Sequence, residues 1–170
     1  MDMRDVHIGI QVPDLDHALS ELNALLGLDF ADPLELPVTV QVGGEIERCT
    51  GRFTLSRSGP PYLEVTENVP GSRIWTTPGE DMAVHHVGFW VDDVAHAAAR
   101  FTEAGYPVEA AGLTEDGRYR YTYHRLGDLR IELCAAAARD AFERWARTGN
   151  AGGVGEEFLQ SHGSRSENPS

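Results

Sequence analysis

The sequence is short of several features that would place a protein quickly. It holds 2 cysteines, Cys49 and Cys134, too few for a disulfide framework and without the CxxC spacing of a thiolate metal site. A chain with no disulfide pattern suits a reducing compartment, so the cytoplasm is the expected location. No apolar run approaches the roughly 20 residues that cross a bilayer. The opening MDMRDVHIGIQV has no basic stretch followed by an apolar one. Neither a membrane nor a targeting signal is therefore expected to matter. Basic residues are scarce: 14 Lys and Arg stand against 27 Asp and Glu, a formal net charge of −13. Such a surface is repelled by phosphate backbones, which argues against nucleic acid as a partner. The acidity names no substrate, and solubility alone accounts for it.

What is present is enough apolar material for a core. The chain has 170 residues, 41% of them hydrophobic. That is one domain, or two small repeated modules sharing one core.

An internal repeat decides between these. The first copy opens His7-Ile-Gly-Ile-Gln-Val12-Pro-Asp14 and the second His86-Val-Gly-Phe-Trp-Val91-Asp-Asp93. His, Gly, Val and Asp recur at matching offsets, and His17-Ala18 answers His96-Ala97. Each opening alternates as a strand does. Each then passes an N-capping Asp, Asp14 or Asp93, into a helix. Leu15, Ala18, Leu19, Leu22 and Leu26 fall at helical spacing, as do Val94, Ala97, Ala98, Phe101 and Ala104. Gly27 and Gly105 stop the two helices.

Three shorter strand-like runs follow in each copy, at about 36–42, 50–57 and 61–66, then at about 106–111, 118–126 and 129–134. The expected fold class is α+β: two tandem βαβββ modules forming a curved mixed sheet around a central cavity, plus a C-terminal helix. Module one covers 5–67, module two 83–134 and the helix 135–147, within one domain of residues 1–148. The helix stripe is Ala138, Ala141, Phe142 and Trp145. Asn68 to Met82, with Pro70, Gly71, Pro78 and Gly79, reads as an irregular connection. Residues 149–170 read as a flexible tail, with some folding around Val154 to Leu159.

Strand parity then puts polar groups on a face that should be apolar. His7, Gly9 and Gln11 share one face of the first strand; His86, Gly88 and Trp90 share its counterpart. On the last strand of each copy, Glu64 and Glu132 point away from the helix-packing Leu63, Val65, Ile131 and Leu133. Each module thus sends one His and one Glu to its concave face. Any one of the four alone reads as an ordinary hydrogen-bonded or solvated sheet residue. Their symmetry changes that, because buried carboxylates need compensation. Two carboxylates and two imidazoles converging from related modules make a good divalent metal site. The glycines beside the histidines would leave space above the ion.

Residues 5–134 resemble the vicinal oxygen chelate superfamily, which includes glyoxalase I, methylmalonyl-CoA epimerase, extradiol dioxygenases and bleomycin-resistance proteins. The stretches VHIGIQVPDLDHAL, AVHHVGFWVDDVAHAA and LGDLRIEL carry the resemblance, and YLEVTENVPGSRIW adds a likeness to the epimerase–glyoxalase branch. The resemblance implies metal ligands on the first and last strand of each module: His7, Glu64, His86 and Glu132. Register with His7 selects His86 and leaves His85 on the other face. Two positions left open on an octahedral ion would hold neighbouring substrate oxygens. A ligand glutamate can serve as base, Glu132 first and Glu64 second. Gln11, Tyr62, Trp90, Tyr121 and Arg130 are the expected substrate contacts, with Arg130 equally able to pair with a carboxylate. The cysteines are expected to be inert.

Three functions follow as expectations. The first is an isomerase, epimerase or lyase acting on a small oxygenated metabolite through an enolate, with Zn, Ni, Co, Mn or Mg. The second is an iron-dependent dioxygenase using His7, His86 and Glu132. The third is a metal-free small-molecule binding or resistance protein. A small-molecule substrate and a homodimer are the partners implied.

Overall fold

The computed structural model describes residues 6–77 and 81–156. Module one comprises β1 (Val6–Val12), α1 (Leu15–Leu26), β2 (Leu34–Val42), β3 (Glu45–Leu55) and β4 (Tyr62–Glu67). Module two comprises β5 (Ala83–Val91), α2 (Val94–Glu103), β6 (Val108–Leu113), β7 (Tyr119–Leu126) and β8 (Leu129–Ala135). A short 3-10 turn, Ala136–Ala138, leads into α3 (Arg139–Thr148).

The strands close into one barrel in the order β1-β4-β3-β2-β6-β7-β8-β5. The duplication is visible in that order. Each opening strand pairs in parallel with the last strand of its own module, β1 with β4 and β5 with β8. The modules meet at two antiparallel seams, β1 with β5 and β2 with β6. Both seams lie within one chain.

The two helices start alike. The Asp14 carboxylate accepts from the His17 backbone N–H at 2.9 Å, and Asp93 does the same for His96 at 2.9 Å. Each cap satisfies an otherwise orphaned helix donor. Leu15 and Ala18 bury against Val12 and Val65, whereas Leu25 and Leu26 are exposed. The apolar stripe of α1 therefore ends one turn earlier than its spacing suggests. β3 begins earlier than its apolar run because Gly43 and Gly44 make the hairpin turn with φ of 57° and 88°. Glycine reaches such angles without a Cβ clash. Glu45, Ile46, Glu47 and Arg48 then pair with Val42 to Thr39 of β2.

Helix α3 packs on β2 and β3. Trp145, Phe142 and Ala146 bury against Leu34, Leu36, Phe53 and Leu55. The Trp145 indole N–H donates to the Asp32 carbonyl at 3.0 Å. The same cluster takes in Val154, 1% exposed, with Ala151 beside it. Burial of that kind, about 1.5–3 kcal/mol per large side chain, anchors the chain past Thr148. The rest of the expected tail, residues 157–170, lies outside the described residues, including part of the Val154 to Leu159 segment. No helix among the described residues is long and apolar enough to cross a membrane.

Candidate metal centre

The barrel lumen holds His7 from β1, Glu64 from β4, His86 from β5 and Glu132 from β8. One donor atom from each lies within 4.8 Å of the others. The histidine Nε2 atoms are 3.2 Å apart. Glu132 Oε2 lies 3.0 Å from His7 Nε2 and 3.1 Å from His86 Nε2. Glu64 Oε2 lies 3.6 Å and 3.3 Å from the same two atoms. Donors bonded to a divalent ion at about 2.1 Å stand about 3.0 Å apart along an octahedral edge and about 3.4 Å apart along a tetrahedral one. The observed separations match these edges, and the mixed nitrogen and carboxylate donors suit a borderline or hard divalent cation. The residues fit the group.

The seam between modules creates this convergence. A Cβ on Gly9 would lie 2.0 Å from His86 Cε1, and one on Gly88 would lie 2.0 Å from His7 Cε1. Each glycine makes room for the histidine of the other module. They were expected to open space above an ion, and what they admit is the opposite imidazole.

The electrostatics point the same way. Burial pushes the His86 imidazole down, but Glu132 and Glu64 outweigh it and hold the group at about 9. Burial likewise opposes ionisation of Glu132, yet His86 and His7 bring its carboxyl well below the usual range. The two carboxylates thus keep a proton where the charge of an ion would sit.

His85 departs from its expected place. β1 and β5 slip by one residue, so that Gly9 pairs with His86 and Ile10 with Val84. His85 is the extra residue of a β-bulge, and a bulge breaks strict alternation. Its ring consequently lies in the lumen rather than on the helix side. Its Nε2–H donates to the Ile74 carbonyl at 2.8 Å. A carbonyl can only accept, so His85 Nδ1 carries the lone pair and accepts from His86 Nδ1–H at 2.9 Å. His86 is thereby left with Nε2 facing the cluster. Burial first, then the charges of His86 and Arg130, push His85 down to about 3, which keeps it neutral as this chain requires. Cys134 was also expected to be inert. It donates its thiol to Glu132 Oε2 at 3.0 Å, and burial and the Glu132 charge hold that thiol protonated.

The pocket beside the cluster includes Gln11, Trp90 and Tyr121 in its wall, together with Phe53, Trp75 and Phe142. Tyr62 does not join them. It lies near Asp29 and Arg57 at the surface and packs on the α3 core. Arg130 makes a two-pronged pair with Glu109 at 2.8 Å and 2.9 Å rather than lining the pocket. On β7, Tyr121 and Tyr123 face the lumen. His124 faces away from it, with its ring bonded to the Tyr106 carbonyl and beside Phe101 on α2. Trp75 comes from the connection between modules, which carries no periodicity from which a wall residue could be read.

Paired βαβββ modules around a His/Glu cluster define the vicinal oxygen chelate fold. The model of the Glyoxalase/Bleomycin resistance protein/Dioxygenase superfamily matches residues 6–123, and the chain belongs to that superfamily. Among solved structures it is similar to a variant of Streptomyces coelicolor methylmalonyl-CoA epimerase in complex with 2-nitronate-propionyl-CoA. There the identity is 21%, covering 78% of this chain and 93% of that one, with a TM-score of 0.54. It is also similar to a methylmalonyl-CoA epimerase in complex with methylmalonyl-CoA and ammonium. There the identity is 22%, covering 78% and 93%, with a TM-score of 0.52. These likenesses establish the fold. No curated protein matches the chain.

Proposed function

We propose that the protein is a divalent-metal-dependent isomerase, epimerase or lyase that acts on a small oxygenated metabolite through an enolate. The observation that carries this is the convergence of His7, Glu64, His86 and Glu132 donor atoms within 4.8 Å. A bound ion supplies Lewis acidity there, favouring negative charge on a carbonyl oxygen as a proton leaves the adjacent carbon.

The chain's own groups divide the remaining work. Glu132 Oε2 has three donors around it, His7, His86 and Cys134. That carboxylate is an anchor. Glu64 stands farther from both imidazoles, and its side chain is 13% exposed against 7% for Glu132. We therefore assign Glu64 as the base that takes the carbon-bound proton, reversing the order inferred from sequence. Trp90 and Tyr121 exclude water from the reacting face.

Anaerobic metal analysis of the purified chain tests this reading. Near-stoichiometric Zn, Ni, Co, Mn or Mg supports it. Stoichiometric ferrous iron with oxygen consumption would instead assign the iron-dependent dioxygenase, a reading that the fourth donor, Glu64, disfavours by crowding the ion. No ion, and no stability gain on adding any, would leave a metal-free binding protein. The homodimer belongs to this proposal on the family resemblance and is measured by sedimentation. Since all four donors come from one chain, a monomer would leave the chemistry intact.

A further inference from the structure

The pocket that opens from the four-donor cluster is walled mainly by carbon. Phe53, Trp75, Trp90, Tyr121, Tyr123 and Phe142 line it. Phe142 arrives on α3 and meets Trp90 edge-on with ring centroids 5.4 Å apart, so the C-terminal helix forms that side. Burial, then the charge of Glu132, holds both tyrosine hydroxyls neutral. Apart from the histidines, Arg120 is the one basic side chain in the wall among the described residues. Its Nε donates to the Leu113 carbonyl at 3.1 Å.

Away from the cluster, one buried side-chain nitrogen or oxygen among the described residues has no hydrogen-bond partner. It is Nε2 of Gln11. Gln11 is 1% exposed and lines the pocket from the strand that carries His7. A buried amide donor without an acceptor is destabilising unless a ligand supplies one. An apolar wall with one unmet donor beside a chelating centre describes the ligand in negative.

We propose that the pocket takes a compact, apolar-bodied molecule, aryl or branched alkyl, that presents two adjacent oxygens to the cluster and a hydrogen-bond acceptor to the Gln11 amide. This rests on the metal-dependent reading above and adds the class of substrate. Recognition comes from burial of the apolar body, which strips its water, and from the amide, which sets its orientation. A polyanionic handle plays no part inside the pocket, whose wall among the described residues offers Arg120 as its one basic side chain besides the histidines.

The test uses Zn2+-loaded full-length protein and hydroxamates, which chelate an ion through two adjacent oxygens. Calorimetric titration compares acetohydroxamate, benzohydroxamate and the three ring-methoxy benzohydroxamates, whose added oxygen only accepts. Benzohydroxamate should bind at least about tenfold more tightly than acetohydroxamate, the effect of burying a ring. At least one methoxy isomer should gain about threefold or more over benzohydroxamate, the size of a modest hydrogen bond. Gln11→Leu and Gln11→Met should erase that gain and keep the preference for the ring. Equal affinity for acetohydroxamate and benzohydroxamate overturns the apolar-body assignment. A methoxy gain that is absent from every isomer, or that survives in both variants, overturns the assignment to Gln11. If Zn2+ does not load, the same titrations use the Ni2+, Co2+, Mn2+ or Mg2+ form; failure to take up any of them overturns the metal reading and this inference with it, whereas uptake with indifference to the ring overturns this inference alone.

Discussion

The imidazole of His86 occupies the space that a side chain on Gly9 would need, with Cε1 2.0 Å from the position of that Cβ. His7 stands in the same relation to Gly88. Each module is therefore complete only with its partner, and the four-residue cluster forms because β1 and β5 lie side by side. Replacing either glycine with Ala should push the opposite ring out of the cluster. The expected outcome is loss of stoichiometric metal, with about 1–3 kcal/mol of destabilisation from overpacking. Metal analysis and denaturant unfolding read the two effects. Native metal content in both variants would contradict the placement of the rings.

Glu64→Ala and His86→Ala should each abolish stoichiometric metal uptake while circular dichroism still reports a folded chain. The apolar clusters around α1 and α3 do not include either residue. Retained metal at native stoichiometry in either variant would remove that residue from the ligand set.

His85 connects the cluster to the chain between modules through its bonds to His86 and the Ile74 carbonyl. His85→Ala should weaken metal binding by about 10–100-fold, the usual effect of losing a partner behind a ligand. His85→Asn, which can still accept from His86 Nδ1–H, should recover part of it. Nitrogen NMR of His86 reports the tautomer directly. An unchanged His86 signal and unchanged affinity in His85→Ala would show that the bulge is architecture only.

Metal uptake should depend on pH in a stated direction. In the metal-free protein His86 sits at about 9, so near neutrality it carries a proton that an ion must displace. Apparent affinity should rise with pH by about tenfold per unit up to that value and level off above it. The same linkage makes the proton's contribution to metal-free stability complete below the ordinary histidine value and lost as pH rises through about 9. Chelator competition measured from pH 6 to 10 checks the slope; a flat profile would show that His86 is unprotonated without metal.

Trp145 is fully buried between α3 and the β2–β3 hairpin. Trp145→Ala should cost about 3–5 kcal/mol, the range for removing a buried indole. Urea unfolding would show it as a lower midpoint. A loss under about 1 kcal/mol, far below the range for a packed site, would mean that α3 contributes little to the fold.

Much of this was legible in the sequence because a duplication repeats both a periodicity and its exceptions. His7 and His86, each two residues before a glycine, and Glu64 and Glu132, each between apolar neighbours, fix four side chains by strand parity alone. Parity holds wherever the pleat is unbroken. It failed at His85, where the register between β1 and β5 slips and two consecutive side chains reach the lumen. It was also insufficient for Tyr62 and Arg130. Sharing a face with a cluster residue does not say whether a side chain lies in the pocket or at its rim, and Arg130 reached across β7 to Glu109 on β6.

Composition and repeat determined the fold class, the two modules and the four-donor set, because these depend on local period and on symmetry between distant segments. The tertiary structure decided what no local pattern holds. It closed the modules into one barrel within a single chain. It brought Trp75 from the connecting segment and Phe142 from the last helix into the pocket wall. It also set His85 behind His86. Those contacts join residues far apart in sequence or displaced by a bulge, and only the packed chain brings them together.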